Sequence, residues 1–360
     1  MLMMVVKEDG VVAIKAATRW RRFGFQRAGI GTSHGDMPSL LATTSATHCH
    51  YLHHSFRYEA RIDTTMATVK AARIPAMIYG TAWKKERTRD LVRQAVLAGF
   101  RGVDTAAQPK HYREDLVAQG VADAMKASGI ARNQLYVQTK YTSIMGQDPK
   151  NMPYDPHSSI TEQVQRSIES SLRNFSVIST SKDESYLDCL VMHSPFPSRD
   201  RTQEAWRAME SYVPHTIRTL GISNIYELPE LERLYDYASI KPSVVQNRFY
   251  KDTSYDAGIR AFCEANDIVY QSFWTLTANP DLLQSQPVLD LAQELTVTRP
   301  VALYGLVLGL GHNMSILDGT TNPRTMKEDL VGVRAVTDYL SSQPIMAIDL
   351  RNDFSALLEW

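Results

Sequence analysis

The sequence predicts an α/β fold, a closed (β/α)8 TIM barrel carrying a poorly ordered N-terminal extension. Two observations lead there. From Ile74 onward, strand-like and helix-like stretches alternate through eight units, the pattern of parallel strands joined by helical crossovers. The competing open, doubly wound sheet usually carries a G-x-G-x-x-G phosphate turn after its first strand. No such turn is present, and Gly309-Leu310-Gly311 lacks the third glycine.

Taken in order, residues 1–69 read as the extension. It holds a basic, aromatic run from Arg19 to Arg27 and the group His48-Cys49-His50-Tyr51-Leu52-His53-His54, with no sustained helix or strand period. No second ligand group follows at finger-like spacing, so the His/Cys group reads as solvated chain rather than a zinc site. Glu8 and Asp9 sit early for a transit peptide, and Met66 is a natural start for the structured part. Residues 70–360 then hold the barrel and a C-terminal tail. Ile74 to Tyr79 is the first strand, closed by Gly80-Thr81, and Thr88 to Leu97 is a helix stopped by Gly99. The second strand ends at Asp104, and Tyr112 to Met125 is helical. Leu135 to Lys140 is the third strand and Ser158 to Phe175 its helix. Tyr186 to His193 is the fourth, followed by a helix over Gln203 to Val213. Thr219 to Ile222, Val244 to Asn247 and Ile268 to Ser272 are strands, with helices over Leu228 to Tyr237 and Asp256 to Asn266 between them. Pro300 to Leu310 has the apolar content of a buried helix, Ser315 to Leu317 is the eighth strand, Met326 to Leu340 the last helix, and a tail runs to Trp360.

Bulk properties narrow the function. In 360 residues, 44% are apolar, ample for one large core. Lysine plus arginine and aspartate plus glutamate each number 39, so no overall field recruits nucleic acid or an anionic membrane. Cys49, Cys189 and Cys263 are scattered and odd in number, which suits a reducing compartment. The apolar run Val301 to Leu310 is too short to span a bilayer. These features predict a soluble, cytoplasmic chain, monomeric or weakly oligomeric, acting on a small molecule.

In a barrel, catalytic groups stand at the C-terminal ends of strands. Three predicted ends carry Asp104, Lys140 and His193, and Tyr112 follows the second strand. A phenol near its usual pKa of about 10 is a poor acid at neutral pH. An adjacent ammonium lowers that pKa, and a carboxylate behind the ammonium keeps it charged and aimed. Tyr112 would then protonate an oxygen that gains negative charge, with Lys140 and Asp104 as tuners and His193 holding the same oxygen. This suits reduction of a carbonyl, which needs a proton at oxygen and a hydride at carbon. The protein has no hydride of its own, so a nicotinamide is implied. Singly, each residue has a structural explanation; together they mark one rim. Trp83, Tyr141, Phe196 and Trp274 fall on predicted rim loops and would line the substrate space, or else pack helices onto the barrel.

These residues resemble the aldo-keto reductase superfamily over Ile74 to Tyr339, in a divergent branch with an Asp-Thr-Ala-x-Gln-x-Lys-His-Tyr pattern. The family's Asp, Tyr, Lys, His tetrad matches Asp104 in Val-Asp-Thr-Ala, Tyr112 in Lys-His-Tyr, Lys140 in Gln-Thr-Lys and His193 in Val-Met-His-Ser-Pro. The loop before Tyr112 is longer than in the best-known reductases, through Gln108-Pro109-Lys110, and His111 stands beside the tyrosine. The resemblance implies that Ser223, Asn224 and Gln246 hold the nicotinamide carboxamide and that Phe273 stacks on its ring. The family's Ser-Pro-Leu stretch reads Trp274-Thr275-Leu276 here, which alters the pyrophosphate contacts. Members that prefer NADP carry a Lys-Ser pair and a later arginine at the 2′-phosphate. The pair aligns with Asp318-Gly319 and the arginine falls near Thr325, while Thr320, Thr321, Arg324 and Lys327 offer hydroxyls and positive charge close by. The family and these two cations favour NADPH, with NADH the alternative and Asp318 the residue that speaks for a ribose hydroxyl. The resemblance implies an NADP-dependent reductase of aldehydes or ketones. The other readings are a non-catalytic nicotinamide-binding, redox-sensing subunit and the same residues run in the alcohol-oxidising direction.

Overall fold

The computed structural model describes residues 74–179, 185–342 and 344–358. The expected extension over 1–69, with its His/Cys group, lies outside them. The described residues close into a parallel barrel whose strands follow chain order from β1 to β8. The strands are β1 Met77–Gly80, β2 Gly102–Asp104, β3 Tyr136–Tyr141, β4 Leu187–Met192, β5 Ile217–Ser223, β6 Val244–Arg248, β7 Val269–Phe273 and β8 Met314–Asp318. Closure is direct: Met77 lies opposite Ile316 and Tyr79 opposite Asp318. Strands β3 and β4 are buried at every position, as strands covered by helices on one side and packed core on the other must be.

Helices α1 Thr88–Ala98, α2 Glu114–Ser128, α3 Ile160–Phe175, α4 Arg199–Glu210, α5 Leu228–Tyr237 and α6 Ala257–Ala265 follow the first six strands. Their ends obey local chemistry. Gly129, in the left-handed region at φ 74°, closes α2. Ser159 accepts the Glu162 amide, and the Glu162 side chain returns to the Ser159 amide, a capping box that starts α3. Between β7 and β8 the chain forms two helices, α7 Gln286–Glu294 and α8 Arg299–Leu308. Only α8 is foreseen by the sequence; α7 begins with Pro287 in its first turn and buries Val288 and Leu291. Every residue of α8 from Val301 to Leu308 is buried. It packs on α9 Pro323–Ser342 so closely that a Cβ on Gly305 would sit 2.1 Å from a Val336 methyl.

The sequence reading leaves the chain after Leu340 as a tail; the structure makes it a helix. In α10, Pro344–Leu358, Leu350, Phe354 and Leu358 are buried at four-residue spacing, one stripe against the body of the fold. Boundaries of α2, α4 and α9 also shift by a few residues from the sequence reading, as helix ends do. No helix among the described residues is long and apolar enough to cross a membrane. Cys189 and Cys263 are buried free thiols.

Candidate active site

The barrel's centre is polar beneath its C-terminal rim. Side chains alternate across a strand, so Gln138 and Lys140 on β3 both point inward, as do Gln246 on β6 and Gln271 on β7. Register brings them together, with Asp104 opposite Gln138 and Gln246 opposite Gln271. The Gln138 amide donates to Asp104 Oδ1 at 2.6 Å and to Gln271 Oε1 at 2.8 Å. Gln246 donates to the same two oxygens at 3.0 and 2.8 Å. Above this layer Lys140 Nζ binds both oxygens of Asp104, at 2.7 and 2.6 Å, and the Thr105 carbonyl at 2.9 Å. Ammonium and carboxylate are 1% and 2% exposed. An ion pair this deep holds only because its remaining valences are filled by hydrogen bonds.

Over the pair opens a cavity of about 790 Å³, a volume usual for cofactor-sized ligands. Asp104, Tyr112 and His193 line it, while Lys140 stands behind Asp104. The Lys140 ammonium lies 5.2 Å from the centre of the Tyr112 ring, and the Tyr112 and His193 rings meet edge to face at 6.0 Å. The extended loop reaches this position by a turn in which the His111 and Tyr112 amides both donate to the Gln108 carbonyl. Gln108 is itself anchored to the Gly146 carbonyl.

Electrostatics differ from the sequence expectation at one point. An ammonium beside Tyr112 was the reason to expect a lowered phenol pKa. Instead burial pushes the phenol up, and Asp104's charge adds to it. Lys140's charge is spent on Asp104, and burial holds the lysine itself below its usual range. His193 is held neutral, its pKa driven down to about 3 by burial first and then by Lys140 and His111. Its Nδ1 is 2.7 Å from Thr142 Oγ1, which fixes the ring and leaves Nε2 for the cavity.

Around this core, Ser223, Asn224, Gln246, Phe273, Trp274, Leu276 and Thr320 line the same cavity. Several of their donors are used within the protein. Ser223 Oγ donates to the Gln246 carbonyl and Asn224 Nδ2 to the His193 carbonyl, while Gln246 keeps only its Oε1 for a ligand. Trp83 also lines the cavity and packs on His111, with ring centres 3.7 Å apart. Tyr141 and Phe196 do not line it. Tyr141 follows the inward-pointing Lys140, so alternation turns it outward, where it packs near Tyr154. Phe196 packs on the hydrophobic core, its backbone bound to Thr202.

Thr321, Arg324 and Lys327 also lie off the cavity and are exposed. Arg324 pairs with Glu328 at 3.5 Å. The buried stripe of α9 runs through Met326, Asp329, Val333 and Val336, which sets Lys327 and Arg324 on the other side. In their stead the wall carries Asp318, Thr325 and Asp329. Lys84 and Arg248, which the sequence reading passed over, line the cavity too. Arg248 lies two residues past Gln246 on the same strand face, its guanidinium 4.3 Å from the Trp274 ring and 5.0 Å from that of Tyr250. That two-residue step was the available signal. Lys84 is buried, donates to the Gly319 carbonyl at 2.7 Å and is lowered to about 8 chiefly by burial.

Fold and site together define a (β/α)8 barrel with a deep cavity, polar at its floor and partly apolar in its walls, on the rim where such barrels place their chemistry. The Aldo/keto reductase family model matches residues 76–283, more than half of the chain. The chain belongs to the aldo/keto reductase family. It is 27% identical over 264 residues to the glyoxal reductase of Bacillus subtilis, covering 72% of this chain and 82% of that protein. It is 26% identical over 273 residues to the NAD/NADP-dependent indole-3-acetaldehyde reductase of Schizosaccharomyces pombe, covering 71% and 84%. Among solved structures, the aldose reductase of Giardia lamblia superposes with a TM-score of 0.60 at 18% identity, over 79% of this chain and 92% of that one, a likeness of fold.

Proposed function

We propose that this chain reduces an aldehyde or ketone to an alcohol, with Tyr112 giving the proton. The observation that carries the reading is the meeting of the Tyr112 phenol, the His193 imidazole and the buried Asp104–Lys140 pair at one cavity. The family uses a nicotinamide, and the residues present suit one: Phe273 offers a ring face, Gln246 Oε1 an acceptor and Arg248 a cation for a phosphate. When bound, the dihydronicotinamide supplies hydride to the carbonyl carbon.

The remaining work falls to the chain. His193 is neutral, so its Nε2 side donates a hydrogen bond to the carbonyl oxygen without carrying a charge. Tyr112 stays protonated in the resting site and gives up its proton only when the oxygen becomes an alkoxide, a much stronger base. The phenolate so formed belongs to a ring whose centre lies 5.2 Å from the Lys140 ammonium, whose charge Asp104 maintains. Trp83 and Trp274, 60% and 49% exposed, stand at the mouth and favour a carbonyl compound with an apolar portion.

Small dicarbonyls such as glyoxal and methylglyoxal, together with aryl acetaldehydes, are the first panel to try, since relatives are named for such substrates. Reduced-nicotinamide oxidation is followed at fixed enzyme. Tyr112→Phe should lower kcat by ~10²-fold or more, the span of a positioned general acid, with nucleotide binding unchanged. Turnover that survives this change would remove Tyr112 from the mechanism.

A further inference from the structure

The wall at the β8 end of the cavity has a charge opposite to what a 2′-phosphate needs. Asp318 ends β8, is 2% exposed and lines the cavity. Its Oδ1 accepts from the Thr320 amide at 2.9 Å, while no amide, hydroxyl or cation reaches its Oδ2 among the described residues and the side chain that shares a hydrogen bond with the carboxyl is a second acid, Asp329. Asp329, one helical turn past Thr325 on α9, lines the same wall. Lys84 is the cation that acts on Asp318. It is tied to the Gly319 carbonyl, and Asp318's charge helps keep it protonated. Arg324 and Lys327 stand on the outer side of α9.

We propose that Asp318 and Asp329 make this cavity select a dinucleotide with a free adenosine ribose diol, NADH, and reject the 2′-phosphate of NADPH. This rests on the nicotinamide reading above. A buried carboxylate whose side-chain partner is another acid is costly to keep ionised, and a ribose hydroxyl supplies a donor that carries no charge. A phosphate is mainly acceptor oxygens and negative charge, so beside Asp318 it meets repulsion and satisfies nothing. The crowding of the two acids is visible in Asp329, whose carboxyl is raised to about 7 by burial, by Asp318's charge and by the hydrogen bond it shares with Asp318. Among the described residues that line this wall, Lys84 is the one cation a second negative charge would meet.

The test is a binding titration of the full chain, read through quenching of Trp83 and Trp274 fluorescence, with NADH, NADPH, ADP-ribose and 2′-phospho-ADP-ribose. NADH should bind at least ~10-fold tighter than NADPH, and ADP-ribose tighter than its 2′-phosphate by a similar factor, as like-charge juxtaposition predicts. Asp318→Asn and, separately, Asp329→Asn should narrow both ratios while circular dichroism stays native; either variant suffices if the other fails to fold. NADPH binding as tightly as NADH in the wild-type chain overturns the proposal and leaves the reductase reading standing. Binding of neither dinucleotide overturns both.

Discussion

The buried Asp104–Lys140 pair allows a prediction whose size follows from geometry. In Asp104→Asn, shape is kept but the Lys140 ammonium loses both charged contacts, at 2.7 and 2.6 Å. The new amide also brings a donor into a cluster where Gln138 and Gln246 already donate. Removing one member of a buried pair costs ~3–5 kcal/mol. For a barrel of this size, at about 2 °C per kcal/mol, that is a drop in Tm of ~6–10 °C. Lysine has one escape, which is to lose its proton. Burial already holds Lys140 below the free lysine value, with Asp104 opposing, so the variant pushes it lower. The unfolded chain then binds a proton that the folded chain lacks, and stability must rise as pH is raised towards the free lysine value. Thermal melts of wild type, Asp104→Asn, Lys140→Met and the double variant, taken from about pH 6.5 to 9.5, test each part. The Asp104→Asn melts should climb with pH more steeply than wild type. The double variant should lose ~2 kcal/mol or more less than the sum of the singles, because no charge is stranded. A single variant that melts like wild type with the same pH slope would refute the buried pair.

Two other perturbations follow from particular contacts. Gly305→Ala places a methyl 2.1 Å from a Val336 methyl across the α8–α9 contact. Chemical denaturation should show a loss of ~1–3 kcal/mol, the range for overpacking, and Val336→Ala in the same chain should recover part of it. His193 is held neutral with a pKa near 3, whereas the unfolded imidazole takes a proton near pH 6.5. Stability contributed by the neutral ring is therefore complete above that pH and declines as pH falls towards 3. Replacing His193 with glutamine should flatten the Tm–pH curve over that acid window; an unchanged curve would show that His193 titrates normally.

Much of this was legible in the chain, for identifiable reasons. Charges are rare on strands buried on both sides, so Asp104 and Lys140 at predicted strand ends stood out, and the unit count placed them on one rim. Tyr141 was misplaced although the same alternation that turns Lys140 inward turns its neighbour outward. Arg324 and Lys327 were read by proximity in sequence, where helical phase decides; Met326, Asp329 and Val333 fix the inner face of α9 and exclude both cations. α7 and α10 were missed because each buries only a few residues in a short stripe, which local pattern does not separate from loop. The glutamine layer is different in kind. Gln246 meets Asp104 across 142 residues of chain, and nothing local distinguishes an inward glutamine from a solvated one.

That layer decides how the proposed acid works. Asp104 receives four hydrogen bonds, two from Lys140 and one each from Gln138 and Gln246, which hold it ionised beside Tyr112, where its charge opposes that of Lys140. A lone ammonium at 5.2 Å from the Tyr112 ring would pull the phenol towards ionisation; with Asp104 beside it, burial first and then the carboxylate's charge act the other way, and the phenol rises. The site therefore holds a reluctant acid rather than a poised one. Such an acid does not lose its proton to water at neutral pH, and it transfers only to an oxygen made strongly basic by hydride arriving at carbon. The glutamines keep the carboxylate saturated while the ion pair stays out of reach of solvent, and on the proposed reading this ties protonation to hydride transfer instead of letting it come first.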